Sequence, residues 1–236
     1  MSSLPTALVT GAGGALAAAV IGRFHALGWR TALLDRGDGA ALRERYPESL
    51  VHGVDLLDED ATRRAVLAAE EEAGGIDAVV NLAGAFARLP ALEITVAALQ
   101  QQLAANLVTA VTTTTAALPG MLRRGHGTIL GIAAGQAVDG GAVVAPYAAS
   151  KAALVAYLRS LDHELAPRGV RTIVVYPMGT LDTAGNRSAM PAADTSAWIA
   201  TDTLAEALTS AVTLGPRGRV KELRVHPDPS TPPSRA

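Results

Sequence analysis

Short, mostly apolar runs alternate with longer stretches at helical spacing, and this constrains the 236-residue chain most. The runs are ALV (7–9), RTALLD (30–35), LVHGVD (50–55), IDAVVNLAG (76–84, a strand running into a turn), TILGI (128–132), VRTIVVYP (170–177) and VKELRV (220–225). Strands wetted on one face alternate apolar with polar residues; continuous apolar runs are strands covered on both faces, as in parallel sheets. Helical patterns fill the gaps at 14–28, 41–46, 58–74, 95–118, 146–165 and 201–214. This order predicts an α/β fold: one doubly wound, Rossmann-type parallel sheet of about seven strands with helices on both faces. LPGMLRRGHG is expected to break the helix after 118, and 177–193 to be a loop. Residues 1–225 read as one domain, and the Pro-rich end 226–236 as a poorly ordered tail.

Half of the chain is hydrophobic but aromatic residues are scarce, so the core is built from Ala, Val and Leu and lets helix and sheet approach closely. The net charge is −2 without a basic stretch, which argues against a nucleic-acid surface. There is no cysteine, and the five histidines lack ligand spacing, so no metal site is expected. No apolar run reaches the roughly 18 residues that span a bilayer, and MSSLPTALVTG lacks the basic start of a signal peptide. The expectation is a soluble cytoplasmic protein acting on a small molecule.

TALVTGAGGALAAAV places a Gly-rich turn between the first strand and the first helix. Glycines there let backbone approach a pyrophosphate, and the helix N-terminus offers free N–H groups to it. An ordinary tight turn would use the same residues. The second strand ends in Asp35, whose carboxylate can accept from ribose hydroxyls and would repel a 2′-phosphate. That favours NADH over NADPH. Arg36 next door could pair with a phosphate instead, and Asp35 could instead cap the next helix.

Tyr147 and Lys151 lie four apart on a predicted helix and share a face. A lysine cation near the phenol is expected to lower its pKa, and a tyrosine so tuned can donate a proton as hydride arrives. Such pairs also occur on helices by chance.

Together these residues resemble the short-chain dehydrogenase/reductase family. TGAGGALA is similar to its TGxxxGxG turn, with Thr10 and Gly11 kept and alanine at 15 and 17 where the family has glycine. NLAG (81–84) is similar to NNAG, and YAASK (147–151) matches YxxxK. The resemblance implies a cofactor site made of Gly11, Gly13, Gly14, Ala15, Leu16, Asp35, Arg36, Asp55, Leu56, Asn81, Ala83, Gly84, Tyr147, Lys151, Pro177, Gly179, Thr180 and Leu181. It implies catalysis by Tyr147 and Lys151, with Asn106 helping a proton relay. It also implies a homodimer or homotetramer through the helices at 95–118 and 146–165. The family's catalytic serine lies about 13 residues before the tyrosine; here that position is Ala134, beside Ala133.

The segment PMGTLDTAGNRSAMPAADTSAW (177–198) resembles the dihydropteridine reductase branch of that family, which also has an Ala-Gly stretch in place of the serine. This implies NADH-dependent reduction of quinonoid dihydropterin, with Ala134, Gln136, Asn186 and Arg187 near the substrate and 177–200 as a lid. A quinonoid acceptor is already electron-poor and takes its proton on ring nitrogen, so it needs little oxyanion stabilisation. Two other readings stay open: a reductase of another carbonyl or quinone, and a protein that binds NAD(H) without chemistry. Retention of Tyr147, Lys151 and Asn106 argues against the last.

Overall fold

The computed structural model describes residues 4–215 and 217–228. Seven parallel strands form one sheet in the order β3-β2-β1-β4-β5-β6-β9. They are β1 (Thr6–Thr10), β2 (Arg30–Asp35), β3 (Leu50–Gly53), β4 (Ala78–Asn81), β5 (Gly127–Ile132), β6 (Val170–Pro177) and β9 (Glu222–Val225). β7 (Leu181–Asp182) and β8 (Ile199–Ala200) form a separate parallel pair. The doubly wound reading therefore holds. β1 and β4 are buried at every residue, as expected of strands covered on both faces.

Side chains alternate between two cores. Leu8, Leu34, Val79, Ile129 and Tyr176 pack on one face with Val66, Met121 and Leu158. These three come from α3 (Glu59–Ala73), α5 (Thr109–Arg124) and α7 (Ala145–Leu165). Val9, Leu33, Val80, Leu130 and Val175 pack on the other face with Ile21, Phe24, Leu204 and Leu208. Those helices are α1 (Ala15–Ala26) and α9 (Thr201–Thr213).

The shorter helices are α2 (Ala40–Arg45), α4 (Val96–Leu103), α6 (Gln136–Asp139) and α8 (Ala184–Ala189). The expected break after 118 does not occur: α5 runs through Pro119 and Gly120 to Arg124. Thr115 and Pro119 are exposed, so water can take the carbonyl that a proline leaves without a donor. Two buried threonines return their hydroxyls to the helix, Thr109 Oγ1 donating to the Ala105 carbonyl and Thr113 Oγ1 to the Thr109 carbonyl, each at 2.8 Å. α4 and α5 are joined by a π-helical turn, Ala104–Val108, with one more residue per turn than an α-helix allows. The segment 177–193 is not plain loop, since it contains β7 and α8. β3 ends at Gly53, two residues short of the expected 55. The tail from 229 lies outside the described residues.

Candidate active site

The sheet order reverses between β1 and β4, and ligands of open α/β sheets bind outside the carboxyl ends of strands at that point. Here the structure brings the two loops together. Thr10 Oγ1 at the end of β1 accepts from the backbone N–H groups of Leu82 (3.1 Å) and Ala83 (3.2 Å) after β4. Gly11 has φ +63°, and a Cβ on it would stand 2.9 Å from the Ala83 backbone. Only glycine allows this approach.

Gly13, Gly14 and Ala15 are exposed, and no side chain caps α1. By contrast α3, α4 and α8 start on capping side chains, Asp58, Thr95 and Thr183. The first-turn donors of α1 are thus left for a ligand. The Gly13 N–H donates to Asp35 Oδ2 at 2.5 Å, and a Cβ on Gly13 would meet that oxygen at 2.6 Å. Asp35 also accepts from the Arg36 N–H at 2.8 Å. α2 starts on Gly39 without a side-chain cap, and its first N–H, of Ala40, donates to Asp38 rather than to Asp35. Arg36 is not an unpaired cation, since its Nε lies 3.7 Å from Asp55 Oδ1. Leu56, next to Asp55, is buried, and its carbonyl accepts from Thr112 Oγ1 at 2.7 Å. Leu16 is half-buried on α1. This open backbone cradle, closed on one side by a carboxylate, fits an NAD(P)(H) pyrophosphate and ribose.

A second cluster lies at the ends of β4 and β5. Asn106 sits in the π turn and is buried. Its Oδ1 accepts from the Ala85 N–H at 3.0 Å; its Nδ2 donates to the Ala85 carbonyl (2.9 Å) and to Ser150 Oγ (3.0 Å). Ser150 Oγ in turn donates to the Tyr147 carbonyl at 2.7 Å. Lys151 is buried and its Nζ donates to the Ile132 carbonyl at 2.8 Å. A Cβ on Gly84 would stand 2.6 Å from Asn106 Oδ1 and 3.4 Å from Lys151 Nζ, so NLAG, Asn106 and YAASK converge. Asn81 is buried at the end of β4, donating to the Leu130 carbonyl at 3.3 Å.

Tyr147 is half-buried, its ring edge-on to Phe86 with centroids 4.8 Å apart. The expected lowering of its pKa is not found. Burial pushes Tyr147 up to about 12 and Lys151 down to about 8. The Lys151 ammonium stands 6.0 Å from the phenol centroid and is engaged by a carbonyl, so desolvation outweighs attraction. Ala133 and Ala134 are buried, so the position of the usual hydroxyl is apolar. Gln136 opens α6 and is exposed.

The proposed substrate contacts on 177–200 fare differently. Arg187 makes a two-pronged ion pair with Asp182 at 2.6 and 2.7 Å, and Asn186 Nδ2 donates to the Leu181 carbonyl at 2.8 Å. Both side chains are thus partly engaged within the segment, while Arg187 stays more than half exposed. β7 pairs with β8, Leu181 opposite Ile199, which ties the two ends of the segment together. Thr180 lends its carbonyl to the Ile199 N–H. Pro177 ends β6 and its carbonyl accepts from the Gly135 N–H at 3.0 Å; Gly179 lies against the Pro227 ring.

Sequence reading missed Ser150 and Phe86. Ser150 is three residues past Tyr147, the spacing that shares its helix face, and Phe86 follows NLAG by two residues.

Residues 5–193 match the short chain dehydrogenase family. The 3-oxoacyl-[acyl-carrier-protein] reductase MabA of Mycobacterium avium is 33% identical over 183 residues, 77% of this chain and 69% of that protein. The 1-deoxy-11-beta-hydroxypentalenate dehydrogenase of Streptomyces exfoliatus is 34% identical over 187 residues, 75% of this chain and 67% of that one. In fold, the crystal structure of gox2181 superposes with a TM-score of 0.80 at 23% identity, covering 94% of this chain and 95% of that one. The chain belongs to the short-chain dehydrogenase family, whose members are oxidoreductases that bind NAD(P)(H). Among the described residues no helix is long and apolar enough to cross a membrane.

Proposed function

We propose that this chain is an NADH-dependent reductase in which Tyr147 is the proton donor and the acceptor is conjugated and electron-poor, quinonoid dihydropterin being the first candidate. The observation that carries this reading is the buried alanine pair, Ala133 and Ala134, beside an otherwise complete Tyr147–Lys151–Asn106 cluster. Ketone reduction builds charge on oxygen, and losing one donor to it costs roughly 2.7–4 kcal/mol in barrier. An acceptor protonated on nitrogen does not incur that cost.

When bound, NADH supplies the hydride. Gly13, Gly14 and the first turn of α1 hold its pyrophosphate, and Asp35 accepts from the ribose hydroxyls. Asp35 disfavours a 2′-phosphate, and Arg36, already facing Asp55, does little to offset that. Tyr147, with its pKa near 12, is protonated at neutral pH and gives its proton to the acceptor nitrogen. Lys151, charged below about 8, stabilises the phenolate left behind and holds the nicotinamide ribose. Asn106 and Ser150 fix the helix that carries both.

Relatives named as ketoacyl reductases favour a second reading, a carbonyl substrate. Oxidation of NADH and NADPH against quinonoid dihydropterin, quinones, a 3-oxoacyl thioester and simple ketones separates the two. The proposal expects fastest turnover with NADH and the quinonoid acceptors. Turnover confined to the thioester or ketones removes it.

A further inference from the structure

At the amino ends of the strands, opposite the site just described, lies a cavity of about 850 Å3. Its lining includes three arginines, Arg171, Arg217 and Arg219, with His126, Trp29 and a single acid, Asp77. Asp77 is already engaged: Oδ2 accepts from the Thr6 N–H at 2.8 Å and Oδ1 stands 3.0 Å from His126 Nε2. Arg171 has no acidic partner among the described residues. Its Nε donates to Thr128 Oγ1 (2.9 Å) and one Nη to the carbonyls of Val212 (3.0 Å) and Leu214 (3.3 Å). These neutral acceptors hold the guanidinium in place without cancelling its charge.

Arg219 donates through one nitrogen to Asp162 Oδ1 at 2.8 Å, but Asp162 also faces Lys221 at 3.0 Å, so one carboxylate serves two cations. Arg217 has no ion pair among the described residues. Burial lowers the Arg171 pKa, and the neighbouring Arg219 cation lowers it further. Like charges converging on a cavity are costly unless an anion joins them. The volume lies within the range of pockets for organic ligands, roughly 300–1,000 Å3, and is far more than an inorganic ion fills.

We propose that this amino-edge cavity binds a small organic phosphate, its phosphate held by Arg171 with Arg217 and Arg219 and its body lying on Trp29. Arg171 keeps one Nη for the ligand, Arg217 and Arg219 add further N–H donors, and three cations suit a doubly charged group better than a carboxylate.

Trp29 provides the readout, since the chain has only one other tryptophan, Trp198. In a Trp198→Phe chain saturated with NAD+, so that the cofactor cradle is filled, phenyl phosphate is titrated against Trp29 fluorescence. Phenol, benzoate and inorganic phosphate serve as controls. The expected result is a saturable change with phenyl phosphate, a weaker one with benzoate and inorganic phosphate, and none with phenol. An Arg217→Ala/Arg219→Ala chain is expected to bind about tenfold more weakly or worse, with NADH affinity and thermal melting preserved. Arg171→Lys keeps the charge but loses the anchoring to Thr128, Val212 and Leu214 that holds it in place, and is expected to weaken binding as well. If Trp198→Phe does not fold, the difference between wild type and Trp29→Phe gives the same signal. No saturable response, an equal response to phenol, or a response untouched by the arginine variants would overturn the proposal.

Discussion

The turn after β1 was singled out by its glycines and the segment 177–200 by resemblance, and the structure treats them in opposite ways. In the turn the polar groups stay at the surface, the Gly13 N–H on Asp35 and the Gly14 N–H on the Gly11 carbonyl. α1 starts uncapped, and Asp35 leans over exposed glycines. In 177–200 the polar groups close on one another. Arg187 grips Asp182, Asn186 binds Leu181, Thr183 caps α8 and Asp194 caps the turn that follows. A shared motif can therefore mean a ligand site or a self-contained scaffold, and hydrogen-bond accounting tells them apart.

The largest effect should come from the cluster that neither region contains. Tyr147→Phe keeps the ring against Phe86 but removes the proton, and kcat should fall about 10²–10⁴-fold with NADH affinity nearly unchanged. Unchanged turnover would remove Tyr147 as the acid. In the turn, Gly13→Val places side-chain carbon 2.6 Å from Asp35 Oδ2, too close for that carboxylate to stay where it is. NADH affinity should drop about tenfold or more while the melting temperature changes little.

Asp35→Asn tests the same carboxylate. It should narrow the NADH-over-NADPH preference, measured as a ratio of kcat/KM, by about tenfold, equivalent to roughly 1.4 kcal/mol. In the self-contained segment, Arg187→Ala should leave kcat/KM within about threefold and act through local melting seen by hydrogen exchange, since an exposed ion pair contributes little. A loss of about a hundredfold would place Arg187 on the substrate and collapse the contrast.

The pH profile follows from burial. Lys151 is charged below about 8 and Tyr147 protonated below about 12. The lysine therefore sets the limit. The reductive rate should be level on the acid side of about 8 and decline above it as the cation is lost. Lys151→Met should abolish that decline together with most of the activity.

Much of the fold was legible in the sequence because two-sided burial writes strands as apolar runs, and β1, β2, β5 and β6 fall within two residues of the expected places. Pro119 misled because its place on the exposed face of α5 is a tertiary fact. The shape of the turn after β1 was legible because glycine marks where backbone must approach closely, as Gly11 does to Ala83. The Tyr147 pKa was not, because it depends on how deeply the fold buries the phenol. Ser150 and Phe86 escaped for a similar reason: their roles come from what the π turn and the loop after β4 bring beside them.

Position 134 tests the central claim most directly. Initial rates of NADH oxidation by wild type and by Ala134→Ser are compared with quinonoid dihydropterin and with a 3-oxoacyl thioester. A single proton donor acting on a nitrogen-protonated acceptor predicts no appreciable gain with the pterin, and any gain confined to the thioester. A large gain with the pterin, or a wild type inactive on it and active on the thioester, would contradict that claim.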